Sequence, residues 1–326
     1  MISSKQATAK VAANLKLCRD HFRLVLGLSA FPPTKPGQFI QIACCDLPAL
    51  DAGQREHQWS TDPQWLAGPE WLADRAIASH DVELTSPIAL IRRPFSLAGR
   101  RDGDGVELDI IHRVIGGGTQ YLAGLVPGDN LDILGPLGNA FTLPAPDQFA
   151  ILVGGGVGIP PMIYLASQLA DRRAVAFAGA LCRDLIPLTP SATQYQVAEF
   201  HAHGIPAVLA TDDGSFGFHG LITQALEEFL DRRLAGEFFP AGLRPIIYTC
   251  GPEPMMKRVA DIAIQRKIPC QVAAERAMAC GMGTCQSCCI RVKKLDPAKP
   301  PLPGSDWCYR LTCTDGPIFN AADLLW

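Results

Sequence analysis

From residue 12 to residue 43 apolar and polar positions alternate, with Leu15, Leu17, Phe22, Leu24, Leu26 and Leu28 in short runs closed by Pro32-Pro33 and Pro36-Gly37. A period of two with such breaks predicts antiparallel strands joined by turns. The rhythm fails from 46 to 86, where Trp59, Trp65 and Trp71 stand among prolines and mixed charge. That stretch is expected to be an inserted loop holding one short helix around Pro69 to Ala78. Alternation resumes over Ile88 to Leu97, over Val106 to Val114 after a turn at 101–105, and over Leu131 to Leu134 after a turn at 127–130. About six strands result, enough to close a small antiparallel β-barrel.

Beyond Pro144 the texture becomes apolar runs and helical periods in turn. Strands are expected at Phe149 to Val153, Ala174 to Leu181, Ala207 to Ala210, Pro245 to Tyr248 and Gln271 to Ala274. Helices are expected at Pro161 to Asp171, Val197 to His203, Leu221 to Leu234 and Glu253 to Arg266. Regular βα alternation with continuous apolar strands predicts a parallel sheet covered on both faces. The uncharged span from Phe149 to Ala170 is long enough to suggest a membrane helix, but four glycines between Gly154 and Gly158, then Pro160 and Pro161, interrupt it.

The chain has 326 residues, room for two or three domains. Its net charge of -3 gives no basic field for nucleic acid or a membrane surface. The first ten residues lack the apolar core of an export signal, so a cytoplasmic protein is expected. In that compartment twelve cysteines point to metal or redox chemistry rather than disulfides.

Six of those twelve lie between Cys280 and Cys313. Cys280, Cys285 and Cys288 stand as C-x4-C-x2-C, a spacing that wraps a [2Fe-2S] cluster, with Gly281 and Gly283 letting the backbone fold closely round it. Structural zinc is the rival. A cluster moves one electron at a time, so a redox partner is expected upstream. Cys18, Cys44, Cys45, Cys182 and Cys270 lie in or beside apolar strands and read as core thiols.

Gly154-Gly155-Gly156-Val157-Gly158 follows a buried strand and opens a helix, a geometry that receives phosphate, although many such turns are only tight turns. Cys250-Gly251-Pro252 forms a second strand-to-helix turn on the same sheet edge, and two such turns make a crevice. Arg93-Pro94-Phe95-Ser96 offers a guanidinium and a hydroxyl, or simply a surface turn. Ile111-His112-Arg113, followed by Gly116, Gly117, Gly118 and Thr119, offers a second cation and a close-approach loop opening a helix from Thr119 to Leu125, or a plain hairpin.

Together these words resemble the ferredoxin reductase-like flavoproteins, most closely the electron-transfer subunits of dihydroorotate dehydrogenase, over nearly the whole chain outside 46–86. The resemblance implies three domains: an FAD-binding β-barrel (1–145), an α/β NAD-binding domain (146–270) and a small [2Fe-2S] domain (271–326). It assigns Arg93, Pro94, Phe95, Ser96, Ile111, His112, Arg113, Gly117, Gly118 and Thr119 to FAD. Gly155, Gly156, Gly158, Cys250, Gly251 and Pro252 fall to the nicotinamide nucleotide, with Thr211 and Asp212 nearby. Arg183-Asp184 stands where the ribose is selected, and NAD(H) is expected. The cluster takes Cys280, Cys285, Cys288 and Cys313, with Cys289 and Cys308 as alternative fourth ligands.

The implied function is an electron relay between a partner's flavin and NAD+, in a heterotetramer with two catalytic dihydroorotate dehydrogenase subunits. No acid–base catalytic residue is expected, since the cofactors carry the chemistry. A ferredoxin- or hydrogenase-linked NAD(P)H reductase is the alternative within redox chemistry. A zinc-stabilised nucleotide-binding regulator is the alternative outside it.

Overall fold

The computed structural model describes residues 5–44, 89–169, 172–190, 197–234, 242–293 and 306–326. The loop and short helix expected within 46–86 lie outside the described residues.

The first sheet holds β1 (Lys5–Lys16), β2 (His21–Leu28), β3 (Phe39–Cys44), β4 (Ala89–Ser96), β5 (Gly99–Asp102), β6 (Val106–Arg113) and, after helix α1 (Gly117–Gly124), β7 (Asn130–Leu137). Its order is β4-β3-β7-β1-β2-β6-β5, with every pairing antiparallel. β5 is the strand that the pattern did not show, because Gly99-Arg100-Arg101-Asp102 has no apolar alternation. The two edge strands are consecutive in the chain. Leu97 and Ala98 join them, their N–H groups donating to the Gln38 and Asp109 carbonyls at 3.3 and 2.8 Å. The sheet therefore curls into a half-barrel around Leu24, Leu26, Ile40, Ile42, Ile110 and Ile133.

The second sheet holds β8 (Gln148–Gly155), β9 (Ala174–Ala180), β10 (Ala207–Thr211), β11 (Phe218–His219), β12 (Arg244–Cys250) and β13 (Cys270–Ala273). These run parallel in the order β11-β10-β9-β8-β12-β13. Helices α2 (Ile159–Ser167), α3 (Ala198–His201), α4 (Ile222–Leu234) and α5 (Glu253–Gln265) cover it. Alternate residues of one strand feed opposite cores. Ile151, Val153, Phe177 and Ile247 pack under α4 and α5, whereas Leu152, Ala176, Leu209 and Tyr248 pack under α2. Both faces are apolar, hence the continuous apolar runs. Burial of each Leu, Ile, Val or Phe side chain among them contributes about 1.5–3 kcal/mol.

The C-terminal segment forms β14 (Cys289–Val292), β15 (Cys308–Leu311), β16 (Ile318–Asn320) and β17 (Leu324–Leu325). β15-β14-β17 make a small sheet, while β16 adds antiparallel to β13 at the edge of the second sheet. Side chains tie the layers. Tyr164 on α2 donates its hydroxyl to the Thr34 carbonyl at 2.9 Å. Asn139, just past β7, donates to the Asp315 and Ile318 carbonyls at 3.0 and 2.9 Å and accepts the Ile318 N–H at 2.8 Å. Among the described residues no helix is long and apolar enough to cross a membrane.

Candidate functional site

The flavin words meet at the mouth of the half-barrel, where β4, β6 and α1 converge. Phe95 meets His112 edge-on at 6.2 Å between ring centroids, and His112 stacks on Phe22 at 5.9 Å. The two arginines of β4 separate cleanly in role. Arg92 donates to the Asp132 carbonyl at 2.9 Å and pairs with the Asp132 carboxylate. Arg93 is exposed and, among the described residues, has no ion-pair partner, which leaves it for an anion. His112 Nδ1, His112 Nε2 and Arg113 Nε are buried without a hydrogen-bond partner among the described residues. An unpaired buried polar atom costs roughly 1–3 kcal/mol, so the two His112 nitrogens fit a polar ligand at this mouth.

His112 is held neutral, its pKa lowered to about 4 by burial and by nearby His21. The Thr119 hydroxyl is engaged within its own loop. It accepts the Ile115 and Gly116 N–H groups at 2.9 and 3.2 Å and donates to the Gly116 carbonyl at 3.0 Å. It shapes the loop and leaves the Gly117 and Gly118 backbone at the start of α1.

On the nucleotide edge the two glycine turns pack against each other. A Cβ on Gly158 would lie 2.2 Å from the Cys250 carbonyl oxygen, and one on Gly155 would lie 2.5 Å from Met255 Sδ. A Cβ on Gly251, which is at φ +152°, would lie 2.8 Å from Met255 Cε and 3.0 Å from the Gly155 nitrogen. These glycines permit contact between the turns. Gly156, at φ +53° with nothing within 4 Å of a Cβ, is the open position where a ligand can reach the backbone. Pro160 and Pro161 occupy the first turn of α2 and remove two N–H donors from it. The helix end expected to receive phosphate is thus poorer in donors.

Thr211 is fully buried, its hydroxyl donating to the Phe216 carbonyl at 2.8 Å and accepting the Phe216 N–H at 2.9 Å. It braces the turn rather than opening to the crevice. Asp212, beside it, has a carboxyl raised above its usual range by burial and by Asp213. The Arg183 guanidinium lies 5.3 Å over the Phe216 ring, and the Arg183 backbone N–H donates to Ser215 Oγ at 2.8 Å. Burial and the Glu275 carboxylate push the Cys250 thiol up to about 12, so it stays protonated. The turn Gly156–Gly158 lies against β6, which brings the nucleotide edge to the flavin mouth.

The cysteines fall into two pairs. Cys280 and Cys285 share one loop, in which the Met282 and Cys285 N–H groups donate to Cys280 Sγ at 3.5 and 3.4 Å. Gly281 and Gly283, at φ +71° and +88°, make that loop possible. The exposed Cys285 thiol is lowered to about 6 by Ser287, whose hydroxyl lies 3.2 Å away, and by Cys280. Cys288 and Cys313 are buried together against Phe39 and Leu137 of the half-barrel. Cys313 is raised to about 12 by burial and its neighbour Cys288.

Two thiol pairs joined by one loop fit a two-iron cluster, in which each iron takes two thiolates. The alternative fourth ligands stand apart. Cys289 is on the exposed face of β14, and Cys308 pairs with Val292 at the far end of the β14–β15 ladder, about 10 Å along the strand from Leu311.

Sequence reading missed Gln41, Phe39 and Asn139, which dock the cysteine segment on the half-barrel. A lone amide inside Phe39-Ile40-Gln41-Ile42 was the available signal.

Residues 275–325 match the family model described as the iron-sulfur cluster binding domain of dihydroorotate dehydrogenase B. The chain is 38% identical over 238 residues to the electron transfer subunit of dihydroorotate dehydrogenase B (NAD(+)) of Geobacillus kaustophilus, covering 72% of this chain and 80% of that protein. The subunit of the same name from Streptococcus mutans is 33% identical, covering 72% and 81%. Among solved structures, an NADH-dependent reduced ferredoxin-NADP oxidoreductase, studied for flavin-based electron bifurcation, aligns with TM-score 0.67 at 23% identity, covering 98% of this chain and 90% of that one. A cytochrome P450 reductase from Amycolatopsis aligns with TM-score 0.56 at 21% identity, covering 82% and 68%. These alignments establish a ferredoxin reductase-like fold. With the domain match and the relatives at this identity, the chain belongs to the family of electron transfer subunits of dihydroorotate dehydrogenase B.

Proposed function

We propose that the chain passes electrons from a catalytic dihydroorotate dehydrogenase subunit to NAD+ in pyrimidine biosynthesis, using a [2Fe-2S] cluster and FAD. The supporting observation is one of placement in space. Cys288 and Cys313 pack on Phe39 of β3, Phe39 pairs with Ser96 of the flavin word on β4, and β6 abuts the nucleotide turn. The candidate cluster and nucleotide residues are thus both packed against the half-barrel that carries the candidate flavin residues, the cysteines on β3 and the glycine turn on β6.

The bound flavin supplies the exchange between single electrons and hydride. The chain's own residues position and insulate. Arg93 neutralises the cofactor's phosphate charge, and Gly117 and Gly118 give backbone N–H donors to it. Phe95 and neutral His112 wall the mouth, with the imidazole nitrogens available for hydrogen bonds. Gly156 admits the nucleotide while Gly155, Gly158, Cys250, Gly251 and Pro252 keep the crevice wall closed. Cys280, Cys285, Cys288 and Cys313 supply four thiolates.

The reading divides the chain at 1–145, 146–270 and 271–326, with two copies of each subunit in the assembly. The proposed compartment is the cytoplasm, where thiols stay reduced.

The test is to purify the chain with its catalytic partner under anaerobic conditions. Iron, acid-labile sulfide and flavin should all be present, and dihydroorotate should reduce NAD+ only when both subunits are there. Protein that carries zinc and no flavin would overturn the reading.

A further inference from the structure

Gln41 lies in the middle of β3 with no solvent exposure. Strand alternation turns Ile40 and Ile42 into the half-barrel core and leaves Phe39 and Gln41 on the opposite face, beneath the cysteine segment. A buried amide requires partners. Of the two orientations related by rotating the amide, one sets both of its polar atoms beside complementary backbone groups. In it Oε1 stands 3.2 Å from the Gly281 nitrogen and Nε2 stands 3.3 Å from the Cys280 carbonyl oxygen, while the other orientation donates Nε2 to the Ala279 carbonyl at 3.4 Å. That carbonyl and that N–H belong to one trans peptide unit, the unit that follows Cys280, and point away from each other, so the Gln41 amide lies against the face of that unit and serves one of its two groups at a time.

The contact also explains the glycine. A Cβ at position 281 would stand 2.6 Å from the Gln41 amide, and Gly281 is at φ +71°, so a larger residue could neither adopt that backbone nor admit the amide. With this peptide fixed, the Met282 and Cys285 N–H groups are directed at Cys280 Sγ. On its own ladder Gln41 stands opposite Pro94 of the flavin word. One amide therefore touches the loop of Cys280 from the strand next to the one that carries Arg93 and Ser96.

We infer that Gln41 is a positioning residue of the relay. It clamps the Cys280–Gly281 peptide, which holds the cysteine loop at a fixed distance from β4 and keeps two N–H donors on the Cys280 sulfur. This rests on the reading of the loop as a [2Fe-2S] site. Hydrogen bonds to cluster sulfurs set its reduction potential, so loss of the clamp should be visible in the cluster itself.

The test uses Gln41→Met, which keeps length and volume but cannot form either bond, in the full chain assembled with its partner. Gln41→Glu is the second variant, since it can accept from Gly281 but opposes the Cys280 carbonyl with a second acceptor. In both, flavin content should match the wild type, while the cluster midpoint potential moves negative and its reduced-state electron paramagnetic resonance spectrum changes. Dihydroorotate-to-NAD+ transfer should fall by about tenfold, as expected of a small misplacement.

An unchanged spectrum and potential in both variants would overturn the assignment. So would loss of flavin together with the cluster, because Gln41 would then serve the barrel core in general. A wild-type protein without iron would instead sink the cluster reading on which the inference stands.

Discussion

Gly158 is packed directly on the carbonyl of Cys250: a Cβ at 158 would stand 2.2 Å from that oxygen and 2.4 Å from the Gly251 nitrogen. The turn after β8 and the turn after β12 therefore touch through backbone, with no side chain between them. A methyl group has no flexible neighbour to displace, so Gly158→Ala must push the turns apart. A shift near 1 Å at a substrate-positioning element costs up to about a hundredfold in rate. Gly158→Ala should accordingly lower kcat/KM for NADH-to-dye electron transfer by tenfold or more, with iron and flavin content unchanged. Steady-state kinetics beside cofactor analysis check this, and wild-type kinetics would show that the turns do not shape the nucleotide crevice.

The same pair marks what a sequence can and cannot convey. Gly154 to Gly158 were visible as a special turn because the run is local and follows an apolar strand. That their first role is to admit a second turn almost one hundred residues away was not visible, since nothing near Gly158 names Cys250 as its neighbour. The second sheet was readable almost strand by strand, because strands buried on both faces are apolar throughout. β5 and the small C-terminal strands were not, being short and rich in charge or cysteine. Within the candidate site, residue type singles out the cysteines and Arg93 as candidates, whereas Thr119 and Thr211 show that a hydroxyl in a motif can serve the loop that carries it. Gln41 and Asn139 act between distant segments and carry no local pattern.

Arg92 and Arg93 are neighbours with opposite commitments, and substitution should separate them. Arg92 is tied to Asp132 across the β3–β7 side of the sheet. Arg92→Ala should lower stability by about 1 kcal/mol, as expected for a part-exposed pair, with flavin retained. Arg93→Ala removes a charge with no partner among the described residues and should leave stability nearly unchanged. It should weaken FAD binding by about tenfold or more, the scale of one lost charge-assisted hydrogen bond. Thermal unfolding and flavin titration of the deflavinated protein distinguish them, and the reverse pattern would exchange their roles.

His21 and His112 make stability depend on pH. Both imidazoles lie near 4 in the fold against 6.5 when free, chiefly through burial, with Arg113 acting on His21 and His21 on His112. Above pH 6.5 neither state takes up the proton, and the fold keeps its full stability. As pH falls from 6.5 towards 4 the unfolded chain binds protons that the fold refuses, so stability drops, by up to about 3 kcal/mol for each imidazole. Below 4 these two groups add no further loss. His21→Gln should flatten the slope of unfolding free energy against pH in that window. A slope equal to the wild type's would mean that His21 titrates normally in the fold.

The cysteines give the sharpest contrast, because two of the six are close in sequence to the others yet sit elsewhere. Cys288 and Cys313 are buried against one another and against Phe39, while Cys280 and Cys285 share the glycine loop. Cys289 faces outward from β14, and Cys308 lies opposite Val292. Ligand substitution removes a thiolate that nothing nearby replaces. Cys285→Ser and Cys313→Ser should therefore lose most of the iron, acid-labile sulfide and cluster absorbance, along with electron transfer from the partner, while flavin stays bound. Cys289→Ser and Cys308→Ser should keep iron and sulfide near wild-type levels. Cys308→Ser will be somewhat less stable, by about 1 kcal/mol, for placing a hydroxyl at a buried position. If Cys308→Ser loses the cluster and Cys313→Ser keeps it, the fourth ligand lies on β15, and the C-terminal loop must rearrange to bring it there.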